Sequence, residues 1–171
     1  PKKTIYELSK LLSETEGNIL ISISSNKIAF SIDNIIFISK LIDGSFPDYN
    51  RVIPNNNNNI LKINRNRLLS AVDRVSTIAN EKSPVIKFNL LQNVLNLNTI
   101  NNERSTASED LNVEYNGDEI EIGFNSKYIM DLVNNLEDNE ISINLKDNTS
   151  PIIAQENSNT NLVYVLMPMR V

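Results

Sequence analysis

The chain contains no cysteine and no histidine. Without cysteine there is no disulfide, no thiolate nucleophile and no Cys-based zinc site. Without histidine the commonest general base and the commonest metal ligand are missing, so no Ser-His or Cys-His pair can be assembled. Glycine is sparse, at positions 17, 44, 117 and 123 only, too scattered for a phosphate-cradling or dinucleotide-binding loop. No run of 18 apolar residues exists, so nothing encodes a membrane-spanning helix, and no signal-peptide pattern is present. Carboxylate and Ser–Lys chemistry remain. The acids Glu119 and Glu121 alternate with Ile120 and Ile122 and so face solvent from a strand, while Glu137, Asp138 and Glu140 fall in a turn after a helical stretch. Asp43 with Asp48 is a further pair of the same solvated kind. No catalytic residue, metal site or cofactor is expected.

What is present suits a soluble globular protein of one or two domains: 171 residues, 40% apolar and 22% charged. A chain of this length buries roughly 70% of the surface it exposes when unfolded. Opening at Pro1 without a methionine, it reads as a fragment of a longer protein. Asparagine is over-used, with 29 residues including an unbroken run at 55–59 that reads as a loop. The net charge of −5 is uneven. Residues 51–100 carry seven basic side chains against Asp73 and Glu81, whereas the stretch after 100 is strongly acidic. Such asymmetry points to a nucleic-acid face on an acidic body.

Apolar residues alternate at Ile19/Ile21/Ile23, Ile28/Phe30/Ile32, Ile86/Phe88/Leu90, Ile120/Ile122/Phe124, Ile141/Ile143/Leu145 and Val163/Val165/Met167, the pattern of half-buried strands. Asp43-Gly44 and Asn116-Gly117 are turn signals. Three stretches carry helical spacing instead, at 4–15, 66–79 and 126–136, with Thr4, Asn64 or Asn66, and Asn125 or Ser126 as candidate N-caps. The helices begin about 60 residues apart and each is followed by strand-like runs, which marks a repeated unit of one helix and an antiparallel meander. Two such units pair into an α+β domain, each covering the other's apolar face.

Among the basic residues, Arg67 and Arg74 lie seven apart on one helix face, opposite Leu68, Val72 and Val75; Lys3 and Lys10 repeat the spacing on the first helix. Side chains so placed suit phosphate contacts without base reading. The terminal stretch Tyr164-Val165-Leu166-Met167-Pro168-Met169-Arg170-Val171 stays apolar where chain ends usually turn polar. It must pack or line a groove, and methionine suits an adaptable groove.

The stretch Ser39-Lys40-Leu41-Ile42-Asp43-Gly44-Ser45-Phe46-Pro47-Asp48-Tyr49-Asn50-Arg51-Val52-Ile53-Pro54 resembles the link between the second and third domains of the bacterial DNA sliding clamp family, the beta subunit of DNA polymerase III. Ala79-Asn80-Glu81-Lys82, Glu119-Ile120-Glu121-Ile122-Gly123-Phe124-Asn125 and Met167-Pro168-Met169-Arg170 resemble it too, in the same order and spacing. The resemblance implies the second half of domain two over residues 1–53 and domain three over 54–171, somewhat less than half of the family's length. It implies a non-catalytic processivity factor in the bacterial cytoplasm, a head-to-tail homodimeric ring around double-stranded DNA that tethers the polymerase III alpha subunit, the clamp loader and other proteins bearing a clamp-binding motif. A DNA-facing set of Lys3, Lys10, Arg67, Arg74 and Lys127 follows, as does a peptide pocket of Pro47, Val52, Asn125, Tyr128, Val165, Met167, Pro168, Met169 and Arg170. A ring interface of Thr77, Ile78, Arg104, Ser105, Thr106 and Ser108 is implied by the same match. The alternative is a stand-alone interaction domain that binds peptides and never DNA.

Overall fold

The computed structural model describes the chain except residues 14, 46, 47, 80–83, 101–104, 160 and 171. Its described residues form an α+β architecture in two compact units, 1–47 and 48–171. The division falls just before the short 3-10 turn Tyr49–Arg51, which Asp48 caps through its side chain.

The first unit is a helix and a meander: α1 (Lys2–Ser13), β1 (Leu20–Ile23), β2 (Lys27–Ile32) and β3 (Ile35–Lys40), with sheet order β1-β2-β3. Thr4 does not cap α1 as expected. The helix starts at Lys2, and the Thr4 hydroxyl instead meets Ser39 Oγ of β3 at 2.7 Å. Among the described residues of this unit only Phe30 and Ile32 are buried. The alternation at 19, 21 and 23 is expressed as a strand but not as burial, since every residue of β1 is exposed. An alternating strand buries its apolar face only under a second layer, and among the described residues of this unit no such layer covers Ile21 or Ile23.

The second unit contains two copies of the same plan. β4 (Asn59–Asn64) leads into α2 (Arg65–Ser76), followed by the meander β5 (Val85–Leu91), β6 (Val94–Ile100) and β7 (Thr106–Asn112). After β8 (Glu114–Tyr115), β9 (Ile120–Asn125) leads into α3 (Ser126–Asn134), followed by β10 (Glu140–Leu145), β11 (Ile152–Glu156) and β12 (Tyr164–Leu166). The strands do not stay with their own copy. β10 pairs antiparallel with β4, and β5 pairs antiparallel with β9. The result is a five-stranded sheet, β12-β11-β10-β4-β8, and a four-stranded sheet, β7-β6-β5-β9. Leu68, Ala71, Val72 and Val75 of α2 and Ile129, Leu132 and Val133 of α3 join one core with Leu61, Ile63, Phe88, Leu97, Ile122, Phe124, Ile141 and Ile143 from the strands. Phe88 and Phe124 meet edge to face with ring centroids 5.2 Å apart.

The two helix starts are chemically equivalent. Asn64 Oδ1 accepts from the Arg67 N–H and Asn125 Oδ1 from the Lys127 N–H, both at 3.0 Å. Of the candidate caps, the structure therefore selects Asn64 and Asn125. The first backbone donor of each helix goes to the other copy: Arg65 N–H to the Asn139 carbonyl at 2.9 Å, Ser126 N–H to the Pro84 carbonyl at 2.8 Å. The Arg65 guanidinium also closes the C-terminal end of α3, its Nε donating to the Val133 carbonyl at 2.9 Å. At Asn116-Gly117 the turn needs glycine, because a Cβ at 117 would meet the Asn59 side-chain oxygen and the Tyr115 hydroxyl.

The expected final strand is shorter than its alternation implied. β12 spans three half-buried residues, and Met167, third in the alternation Val163/Val165/Met167, is 60% exposed. The chain leaves that sheet at Met167.

Asn64→Ala and Asn125→Ala are each expected to lower unfolding stability by about 0.5–2 kcal/mol, the usual cost of losing an N-cap. Urea or thermal unfolding of each variant checks this; unchanged midpoints would show that these caps carry no stability.

Candidate functional site

The terminal residues cross between the two sheets. β12 lies at the edge of the five-stranded sheet, while Met169 donates its N–H to the Gly123 carbonyl of β9, at the edge of the four-stranded sheet, at 2.8 Å. Pro168, which has no N–H to offer, occupies the crossing itself. A cleft of about 480 Å³ opens here, lined by Glu121, Asn148, Thr149, Pro168, Met169 and Arg170. A second cleft of about 240 Å³ lies against α3, lined by Tyr128, Asp131, Leu132, Asn135, Tyr164, Val165 and Leu166. The Tyr164 hydroxyl donates to the Asn135 carbonyl at 3.0 Å and fixes one wall of it.

The expected pocket residues distribute over these features. Pro168, Met169 and Arg170 share the larger cleft; Tyr128 and Val165 share the smaller. Met167 is exposed between them in sequence, and Val52, 49% exposed, directly follows the 3-10 turn as its C-cap. Asn125 lies at the β9–α3 corner with its side-chain oxygen engaged as the α3 cap. Pro47 lies outside the described residues. Asn148 and Thr149 of the larger cleft and Leu132 and Tyr164 of the smaller were not anticipated. The first two belong to a polar loop with no apolar signature, Leu132 reads only as core, and Tyr164 lies in the terminal stretch expected to pack or line a groove without being assigned to the pocket.

The loop that carries Asn148 and Thr149 is organised by Asp147. Its carboxylate accepts N–H bonds from Thr149 at 2.9 Å and Ser150 at 2.7 Å, and both hydroxyls at 2.9 Å. Those donors, led by the Thr149 backbone, hold its pKa at about 2 instead of the ordinary 3.8. On the rim, Lys87 Nζ pairs with Glu121 at 3.1 Å.

The basic side chains are exposed on helix faces, as expected. Arg67 extends from the face of α2 opposite buried Leu68, Val72 and Val75, and Lys127 lies in the first turn of α3. In the first unit Lys3 is exposed, and Lys10 lies 3.6 Å from Glu7 and 4.2 Å from the Tyr6 ring centroid. Arg74 differs. Its Nε and Nη2 donate to the two Glu109 carboxylate oxygens at 3.0 and 2.6 Å, so its charge is neutralised within the chain. The bonds from Arg74 hold the Glu109 carboxyl below its ordinary range. Of the expected interface residues, Thr77 is exposed and Ile78 half-buried at the end of α2, and Ser105, Thr106 and Ser108 are exposed along β7 and its start. Arg104 lies outside the described residues.

Comparison with known proteins fits this geometry. The family model for the DNA polymerase III beta subunit, C-terminal domain, matches residues 50–170, and that for its central domain matches residues 1–48. The chain belongs to the DNA polymerase III beta subunit family. The beta sliding clamp of Haemophilus influenzae is 37% identical over 99% of this chain and 46% of its own length. A sliding clamp from Bartonella birtlesii, solved bound to griselimycin, is 42% identical with a TM-score of 0.86, over all of this chain and 46% of the other. The Caulobacter crescentus polymerase III beta structure superposes with a TM-score of 0.87 at 36% identity, again over all of this chain and 46% of the other. The chain thus spans about half the length of the beta subunit relatives it matches.

The depressed Asp147 value fixes an acid response for the cleft loop. The folded pKa lies below the unfolded one, so the contribution is complete above about pH 4 and disappears as pH falls through about 2. The Asp147 carboxyl resonance is expected to titrate near 2, with the Thr149 and Ser150 amides shifting in step. Titration near 3.8 would mean that the loop does not hold this shape in solution.

Proposed function

We propose that this chain serves as part of a bacterial beta sliding clamp, a non-catalytic processivity factor that encircles double-stranded DNA and tethers replication proteins. The observation that carries the reading is the crossing of residues 167–170 between two sheet edges, in a chain matched in order by both beta subunit domain models. The crossing leaves apolar, pliable side chains at the mouth of a cleft, which suits Leu and Phe side chains of a docking peptide. Arg170, Asn148 and Thr149 add polar partners around it, and Tyr128 adds one in the smaller cleft. The docking residues in the second unit are Val52, Asn125, Tyr128, Val165, Met167, Pro168, Met169 and Arg170, and their ligands are the clamp-binding motifs of the polymerase III alpha subunit, the clamp loader and other replication and repair proteins. That the Bartonella birtlesii relative was solved with griselimycin bound supports a ligand-accepting surface in this family.

Lys3, Lys10, Arg67 and Lys127 form the DNA-facing set. They are few and exposed on a chain of net charge −5, which gives weak, sequence-independent attraction to phosphates. Weakness is required here: a ring retained by topology slides only if no contact holds a particular phosphate. The ring is a head-to-tail homodimer closed through Thr77, Ile78, Ser105, Thr106 and Ser108, and it works in the cytoplasm. The expected junction after residue 53 and the compact-unit division after 47 bracket the 3-10 turn, and we place the boundary between the central and C-terminal domains in that turn.

Calorimetry with a peptide bearing Leu and Phe near its end tests the pocket. Met169→Ala is expected to cost about 1–2 kcal/mol of affinity, and removal of residues 167–171 to abolish binding. Unchanged affinity after that removal would refute the docking assignment. Peptide binding with no response to duplex DNA at low salt would favour a stand-alone interaction domain.

A further inference from the structure

We propose that Arg74 is a positioning residue, a strut that ties the last turn of α2 to the edge strand β7, and not a DNA contact. The inference rests on the clamp reading in one respect: that reading makes the end of α2 and the edge of β7 the two halves of one subunit interface. The geometry itself stands apart from it.

Arg74 grips Glu109 with two nitrogens on two oxygens, the fork-on-fork arrangement that fixes direction as well as distance. Glu109 occupies the inward phase of β7, between Ala107 and Leu111, which both pack on the core, while Ser108 and Asp110 face outward onto Asn96. Its side chain is 27% exposed, against 59% for Arg74, so the carboxylate sits under the helix and the arginine reaches down to it. Among the described residues β6 is the one strand that β7 pairs with in its sheet, so its other backbone edge is unpaired. Beside the packing of Ala107 and Leu111, the strut adds a directional attachment to α2. It also acts at the right place on the helix, since the Thr77 N–H bonds to the Arg74 carbonyl, and Ile78 follows directly. Arg67, seven residues earlier on the same face, has no ion pair among the described residues. The two arginines that sequence spacing groups together therefore do different work.

Two measurements on the full 171-residue chain test this. In the arginine Nε–H region of a nitrogen-15 spectrum, adding a mixed-sequence DNA duplex at low salt is expected to shift the Arg67 signal and leave the Arg74 signal in place. Arg74 shifting together with Arg67 would overturn the proposal and leave the clamp reading intact. Movement of neither, nor of Lys127, would refute DNA binding by this chain, and the strut would then be judged by the second measurement. Arg74→Gln combined with Glu109→Gln keeps the net charge and removes the pair. Amide exchange in β7 is expected to quicken about two- to fivefold, the range for a pair at this exposure, with the five-stranded sheet unchanged as the internal reference. Unaltered exchange in β7 would overturn the proposal.

Discussion

The exchange of strands between the two copies in residues 48–171 is the constraint from which the rest follows. Each helix enters from a strand whose neighbour belongs to the other copy, β4 beside β10 and β9 beside β5. The first helical N–H of each copy is satisfied by a carbonyl of the other, just ahead of the exchanged strand. Neither half can close its backbone hydrogen bonds or cover its helix without its partner, so the unit folds around one core instead of two. The same pairing leaves β12 and β9 at the outer edges of two sheets. The chain end joins these edges when Met169 bonds Gly123, and the clefts form there.

Asparagine, abundant enough to look like compositional noise, takes the jobs that this architecture creates. Asn64 and Asn125 cap the helices. Asn56 and Asn93 adopt left-handed backbone conformations, which asparagine tolerates better than most residues. Asn57 donates to the carbonyls of Asn144 in β10 and Pro151 just before β11, tying the asparagine run to that hairpin. Asn89 and Asn98 both donate to Asn96 Oδ1 on the outer face of the four-stranded sheet. A short amide that both donates and accepts suits every one of these places.

Part of the charge in this protein is paired within the chain. Lys62 bonds Glu114, Lys87 bonds Glu121, Arg74 bonds Glu109, and Arg65 closes a helix end. What remains free on the helix faces is a thin scatter of cations over an acidic body. That distribution suits weak, non-specific attraction to a polyanion and does not suit tight grip.

The sequence by itself determined the elements and their repeat. Helical spacing over Leu68, Val72 and Val75 and alternation over Ile86, Phe88 and Leu90 are local consequences of residue geometry, and they placed helices, strands and the α+β class. The motif around residues 39–54 and the terminal Met-Pro-Met-Arg indicated the family, which the comparisons bore out. Strands whose inward positions hold polar or small residues were less legible. Thr99 in β6, Glu109 in β7 and Glu156 in β11 interrupt the apolar signal, because each is satisfied by a partner far along the chain or in another element. Only the tertiary structure decided which strands exchange, that residues 167–170 pass from one sheet to the other, and that Arg74 is claimed by a carboxylate 35 positions away while Arg67 is not. The physical reason is common to all three: periodicity reports which face of an element is apolar, but the choice of hydrogen-bonding and ionic partner depends on what the folded chain brings within about 3 Å.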